Sequence, residues 1–335
     1  MNLKIGRMEH GEKNLITDVP GIKVGHCTVD NKHHKTGVTV VLPCCDDIFQ
    51  NKMVAACHVL NGFGKTAGLI QIQELGTLES PIALTNTLNV GLVQDALVEY
   101  LCRQAEENGY TIRSVNPVVC ECNDASLNDI RHRAVGQKEV FEAIEAACAE
   151  FAQGDVGAGK GMTCHDLKGG IGSSSRIVEI GEQRFTIGVL VLSNHGSLKD
   201  LTIGGKNIGM NIEHQIREDT PDEGSCIVIV ATDLPVTSRQ LGRIIRRCSV
   251  GLARLGSFIG HGSGEVMIGF STANRIPLQA DYLNICSIHE SHMDKAFRAV
   301  AEATEEAILQ SMLHAGTVTG YNGKVRRSLT EFWQT

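Results

Sequence analysis

Aromatic side chains are scarce. Phe, Trp and Tyr make up only 4% of the 335 residues, and Trp333 is the single tryptophan, which disfavours a surface built to stack successive nucleobases. An excess of positive charge is also missing. The 31 Lys and Arg residues against 38 Asp and Glu give a formal charge of -7, so the clustered basic surface that binds phosphate backbones or anionic bilayers is not expected. No nucleic-acid or membrane partner is predicted, which leaves small molecules and peptides. The chain has no run of eighteen apolar residues. Its first residues, Met1 to Arg7, lead into charged positions without the uninterrupted apolar stretch of a signal peptide, so the expected location is cytoplasmic. There are only seven prolines, and no linker-like, repetitive or low-complexity tract. A length prior of about 150 residues per domain would allow two domains, but nothing marks a boundary, and one unit over residues 1–335 is expected.

Glycine, in contrast, is plentiful at 36 residues. In a chain with 42% apolar and 21% charged residues, typical of soluble globular proteins, this points to a layered fold with tight turns and a backbone-lined site. Twelve cysteines without an export signal are expected to be reduced thiols. Cys57, Cys102, Cys148, Cys248 and Cys286 lie in apolar stretches and read as small packing hydrophobes.

The apolar pattern predicts strands at Gly21 to Asp30, Gly37 to Leu42, Pro81 to Thr85 and Asn116 to Cys120. Helices are predicted from an Asn89 cap to about Arg103 and over Glu139 to Phe151. Gly169 to Gly196 reads as a hairpin turning at Gly181-Glu182. Cys226 to Ala231 is a continuous apolar run, as in a strand buried on both faces. A helix capped by Thr237 or Ser238 reaches about Leu255, with Arg239, Arg243, Arg246 and Arg247 on a solvated face. A strand over Gly264 to Thr272 and a helix over His292 to Leu313 complete an α/β pattern, and the hairpin excludes a purely parallel sheet.

Four motifs bear on chemistry. Gly154 to Lys160 matches the opening of a phosphate-binding G-x-x-x-x-G-K loop, but Gly161 replaces the Mg²⁺-binding hydroxyl and a helix precedes it, so nucleotide binding is not favoured. His289 and His292, Cys44-Cys45, and Cys120 with Cys122 offer metal ligands without a C-x-x-C or H-E-x-x-H spacing, and no metal is predicted. Gly262-Ser263-Gly264 suggests a nucleophile elbow, yet His261 stands where that motif needs glycine and a strand follows. Ser263 and Glu265, two apart on a strand, share a face. Gly224-Ser225 follows a polar stretch and opens the buried strand. Cleavage there would give Ser225 both a hydroxyl and an α-amine of pKa about 7.7–8.0, suited to act as a base near neutrality.

The segments Asn14 to His26, Pro81 to Thr87, Leu127 to Ile130, Lys168 to Gly172 with Ser175-Arg176, Gly224-Ser225 with Ala231-Thr232-Asp233, and Gly260 to Glu265 resemble, in order, the self-processing aminopeptidases. This is the L-aminopeptidase D-amidase/D-esterase group, with the β-aminopeptidases. The resemblance implies a four-layer α-β-β-α sandwich, similar to N-terminal nucleophile hydrolases but differently connected. It also implies a homo-oligomer, often a tetramer. Cleavage between Gly224 and Ser225 would yield subunits 1–224 and 225–335. Ser225 would be the nucleophile, Ser263 and Glu265 its hydrogen-bonded relay, Asn194 an oxyanion donor, and Glu121 the acceptor of the substrate amine. Asn123 stands where certain members carry a tyrosine near the site, which bears on substrate preference, and Ala125 where glycine is common.

The resulting expectation is a cofactor-free aminopeptidase or amidase acting on N-terminal amino-acid amides, esters or short peptides through an acyl-enzyme. An acyltransferase using the same acyl-enzyme, and a non-catalytic binding protein on the same fold, are the alternatives.

Overall fold

The computed structural model describes residues 5–216 and 224–333. In chain order the strands are β1 (Lys23–Asp30), β2 (Lys35–Leu42), β3 (Asn51–Gly62), β4 (Thr77–Leu78), β5 (Ile82–Asn86), β6 (Val118–Cys122), β7 (Thr163–Cys164), β8 (Leu167–Lys168), β9 (Gly170–Ile180), β10 (Gln183–Asn194), β11 (Thr202–Ile203), β12 (Lys206–Asn207), β13 (Ser225–Thr232), β14 (Gly264–Pro277), β15 (Val318–Thr319) and β16 (Val325–Arg326). The helices are α1 (Leu69–Leu75), α2 (Val90–Glu107), α3 (Gln137–Glu145), α4 (Gly209–Ile216), α5 (Ser238–Ile245), α6 (Cys248–Arg254) and α7 (Met293–Leu313).

Two sheets carry the architecture. One has the order β1-β2-β5-β6 and the other β4-β3-β14-β13-β10-β9. Three apolar layers separate them from each other and from the helices. Ile227 and Ile229 of β13 face inward with Leu190, Val266, Ile82 and Val118, filling the space between the sheets. Val228 and Val230 point the opposite way, against Leu241 and Ile244 of α5, Leu252 of α6 and Val300 and Ile308 of α7. On the far side, Val38, Val40, Ala83 and Val119 pack on Val93 and Leu97 of α2 and Val140 of α3. The order is therefore helix, sheet, sheet, helix, the expected four-layer sandwich. The uninterrupted apolar run of β13 follows from burial on both faces.

Arg176 fixes one outer layer. Fully buried on β9, it donates to Glu306 Oε2 of α7 at 2.6 Å and lies 3.5 Å from Glu302 Oε2. A buried guanidinium is tolerated because charged and carbonyl acceptors, including Ile5 O at 2.9 Å, surround it.

The β9–β10 hairpin turns at Gly181 as predicted. Elsewhere the structure differs. Strand β3, twelve residues long and second from the edge of the larger sheet, is absent from the sequence-based expectation, because its buried Met53 to Ala56 run gives way to polar His58 and Asn61 without strict alternation. The predicted 116–120 strand is shifted to Val118–Cys122. Helix α3 stops at Glu145, and Cys148 instead forms a β-bridge to Val24. The single predicted helix to Leu255 breaks at Arg246-Arg247 into α5 and α6. Asn86, rather than Asn89, supplies the side-chain cap, accepting from the Leu88 and Asn89 amides at 3.1 and 3.2 Å. No cysteine is disulfide-bonded, but Cys148 and Cys286 are exposed rather than packed.

Candidate active site

The strand directions bring the predicted residues to one end of the sandwich. Antiparallel pairing sets Asn194, the last residue of β10, opposite Ser225, the first of β13. Parallel pairing sets Ser225 beside Gly264, the first residue of β14. From the other sheet, Cys122 at the end of β6 places its Sγ 3.4 Å from the Ser225 carbonyl. A cavity of about 930 Å³ opens here, with Ser225, Gly224, Asn194, Glu121 and Asn123 in its wall.

Ser225 is 6% exposed. The Gly224 carbonyl before it accepts the Gly264 N–H at 2.9 Å, so the peptide carbonyl next to Ser225 is already polarised. Position 224 has no room for a side chain: a Cβ there would stand 2.1 Å from the Asn194 carbonyl oxygen and 2.7 Å from His195 Cα.

Asn194 is held from both ends. Thr163 N–H lies 2.8 Å from Oδ1 and the Asn123 carbonyl 3.1 Å from Nδ2. A backbone N–H can only donate and a carbonyl only accept, so these partners fix the amide's orientation. One Nδ2 hydrogen remains for a ligand in the cavity. Asn123 itself is exposed, with its Oδ1 accepting from Ala125 N–H at 2.9 Å.

Glu121 is 2% exposed, so it is not a solvated surface carboxylate. Its Oε1 accepts the Lys65 N–H at 2.8 Å, and its Oε2 accepts the Thr87 hydroxyl. Buried carboxylates need such donors. Ser263 donates its hydroxyl to Glu265, and both are buried. That bond bears out their shared face, one strand away from Ser225.

Sequence reasoning missed the residues that hold this frame. Asn61 Nδ2 reaches the carbonyls of Gly260 and Ser263 at 2.7 and 2.6 Å, pinning the loop before Gly264; it belongs to the strand that was not predicted. Lys168 is fully buried, and its Nζ donates to the carbonyls of Gly159, Met162 and Gly169 at 2.9, 2.9 and 2.7 Å. It thereby sets the segment whose Thr163 amide orients Asn194. Burial pulls the Lys168 ammonium down to about 7. Its only sequence signal was its place in the Lys168 to Gly172 motif.

Lys160 of the glycine-rich segment is tied to Asp30 and Asp155, each at 2.9 Å. The His289, Cys44 and Cys120 groups form no ligand cluster among the described residues; the one that forms is Cys164, His165 and His195.

Comparison with known proteins places the chain in a family. The profile of peptidase family S58 matches residues 14–326. The β-peptidyl aminopeptidase BapA of Sphingosinicella xenopeptidilytica is 37% identical over 337 residues, covering 93% of this chain and 83% of its own. Among solved structures, a β-aminopeptidase of Burkholderia sp. superposes with a TM-score of 0.89 at 35% identity, over 99% of this chain and 98% of its own. The L-aminopeptidase D-Ala-esterase/amidase of Ochrobactrum anthropi, a prototype serine aminopeptidase with a variant of the Ntn hydrolase fold, gives 0.90 at 33% identity, over 96% and 93%. A protein of Pyrococcus horikoshii OT3 gives 0.92 at 46% identity, over 98% and 94%. With a family model over residues 14–326 and relatives 33–46% identical over more than nine-tenths of its length, the chain belongs to peptidase family S58 and is a hydrolase of the aminopeptidase and amidase type.

Proposed function

We propose that Ser225 is the nucleophile of this aminopeptidase and that the chain makes it by cutting itself. Ser225 Oγ attacks the Gly224 carbonyl carbon, and the developing oxyanion stays on the Gly264 N–H that already holds that oxygen at 2.9 Å. The C–N bond breaks as the nitrogen takes the proton lost by the Ser225 hydroxyl, giving an ester and the free α-amine of Ser225. Water then hydrolyses the ester, releasing the Gly224 carboxylate and the Ser225 hydroxyl. The products are a chain of 224 residues and one of 111 residues, folded as one unit because β13 and β14 are interior strands of the larger sheet.

In turnover the Ser225 hydroxyl attacks the carbonyl of the substrate's first residue. Its own α-amine, of ordinary pKa about 7.7–8.0, takes the proton, and the Ser263-Glu265 pair orients the attack. Asn194 Nδ2 and the Gly264 N–H receive the oxyanion. Glu121 binds the substrate's free ammonium, and Asn123 borders the first side chain. The amine leaves with the proton, and water resolves the acyl-enzyme. No step uses a cofactor. The processed chains are proposed to assemble as a cytoplasmic homo-oligomer, a tetramer of processed heterodimers. No described helix is long and apolar enough to cross a membrane.

The observation that carries this reading is the placement of Ser225 between Asn194 and Gly264 at the mouth of a cavity that also holds Glu121. Its test compares short peptides and amino-acid p-nitroanilides with their N-acetylated forms. Turnover of the free-amine substrates and loss of turnover on acetylation are expected. Equal cleavage of both would contradict the role given to Glu121 and the aminopeptidase reading with it.

A further inference from the structure

Beside the catalytic strands lies a cluster that the proposed reaction does not use. Cys164, His165 and His195 are buried, and their ligand atoms lie within 4.8 Å of one another. Two elements bring them together. Cys164 ends β7, and the turn that follows places His165 and Asp166 at φ 48° and 60°. His195 follows the last residue of β10. The His165 N–H donates to the His195 carbonyl at 2.7 Å, and the two rings meet edge-on with centroids 5.5 Å apart.

The hydrogen bonds say which atoms present lone pairs. His165 Nδ1 lies 2.9 Å from the Ser197 carbonyl, which can only accept, so Nδ1 carries the proton and Nε2 the lone pair. Neither ring nitrogen of His195 has a hydrogen-bond partner among the described residues. A buried polar ring left this way is unfavourable unless a ligand takes the lone pair.

We propose that Cys164, His165 and His195 form a three-ligand site for a borderline-soft divalent transition ion, with Zn²⁺ the best match. One thiolate and two imidazoles make a zinc-type donor set. Tetrahedral bonds of about 2.0–2.3 Å set ligand atoms roughly 3.5 Å apart, so the cluster closes by about an ångström on binding. The His165 Nδ1 bond to a carbonyl is the outer contact that orients metal-binding imidazoles. On binding, the Cys164 S–H bond breaks, the S–metal bond forms, and the proton leaves to solvent; no group is oxidised or reduced. His195 adjoins Asn194 and lines the same cavity as Ser225, so an ion here fixes the backbone that carries the oxyanion donor. This departs from the expectation of no metal, which rested on spacing along the chain; the ligands come from segments about thirty residues apart.

The test uses full-length Ser225→Ala protein, so that it stands apart from turnover. Zn²⁺ is titrated calorimetrically, and Co²⁺ is added to look for thiolate-to-cobalt charge-transfer absorption. One ion per chain with that absorption is expected, weakened at least tenfold by Cys164→Ser and by His195→Gln. His132→Gln, in the exposed trio with His33 and His34, is expected to leave it unchanged. Alkylating the exposed thiols of the unsubstituted site under native conditions must also leave the absorption, which keeps the test decisive if a variant fails to fold. Absence of binding, loss of the absorption on alkylation, or binding abolished only by His132→Gln would overturn the proposal.

Discussion

Replacing Asn194 by aspartate tests the oxyanion assignment with little change of shape. The new carboxylate keeps an acceptor for the Thr163 N–H, 2.8 Å away in the native side chain. It loses the Nδ2 that donates to the Asn123 carbonyl at 3.1 Å and the second hydrogen assigned to the oxyanion. Removing one such donor costs about 2.7–4 kcal/mol in the transition state, or roughly 10²–10³ in kcat. Charge repulsion adds to that loss. Stability falls by about 1–3 kcal/mol, because one buried acceptor then faces another. KM should change little, since Glu121 and not Asn194 is assigned the ground-state amine. The assay is steady-state kinetics on an amino-acid p-nitroanilide, normalised to the fraction of cleaved chain by mass spectrometry, with urea unfolding alongside. A kcat within about threefold of wild type would refute the reasoning, and so would a large KM rise at constant kcat.

Three further outcomes follow from the same geometry. Gly224→Ala should leave the chain uncut or slow its cleavage by about 10²-fold on denaturing gels, because a Cβ 2.1 Å from the Asn194 oxygen displaces the carbonyl from its attack position. Glu121→Gln should raise KM about 10- to 100-fold with a smaller change in kcat, the loss of one charged hydrogen bond worth about 1.5–3 kcal/mol; an unchanged KM would remove Glu121 from the amine site. Lys168→Met should change the pH dependence of stability. Burial lowers the Lys168 pKa from 10.5 to about 7, so between those values the unfolded chain holds a proton that the folded one does not. Stability from this group therefore rises with pH through that window, by at most about 1.4 kcal/mol per unit. The wild-type minus variant difference in unfolding free energy should rise from pH 7 to 10, and a flat difference would contradict the assignment.

The patterns that sequence reveals best are those set by one face or two. The doubly buried β13 and the β9–β10 hairpin were readable because apolar continuity and a glycine turn each have one good structural solution. Strand β3 was not, since its inner face is local while its end serves the Gly260 to Ser263 loop through Asn61. Helix α3 ends early because the Cys148 backbone pairs with Val24, a tertiary contact that helical periodicity does not encode. The resemblance placed Ser225, Asn194, Glu121, Ser263 and Glu265, and the strand registers explain how they reach one end of the sandwich. The supports are long-range. Lys168 acts through three carbonyls, and Cys164, His165 and His195 meet only after β7 docks on the end of β10.

The central claim is that Ser225 becomes a chain terminus. Denaturing mass spectrometry of the purified wild-type protein should show two chains, ending at Gly224 and beginning at Ser225, while Ser225→Ala stays at full length. A single full-length mass for active wild-type enzyme, or normal cleavage in Ser225→Ala, would contradict it.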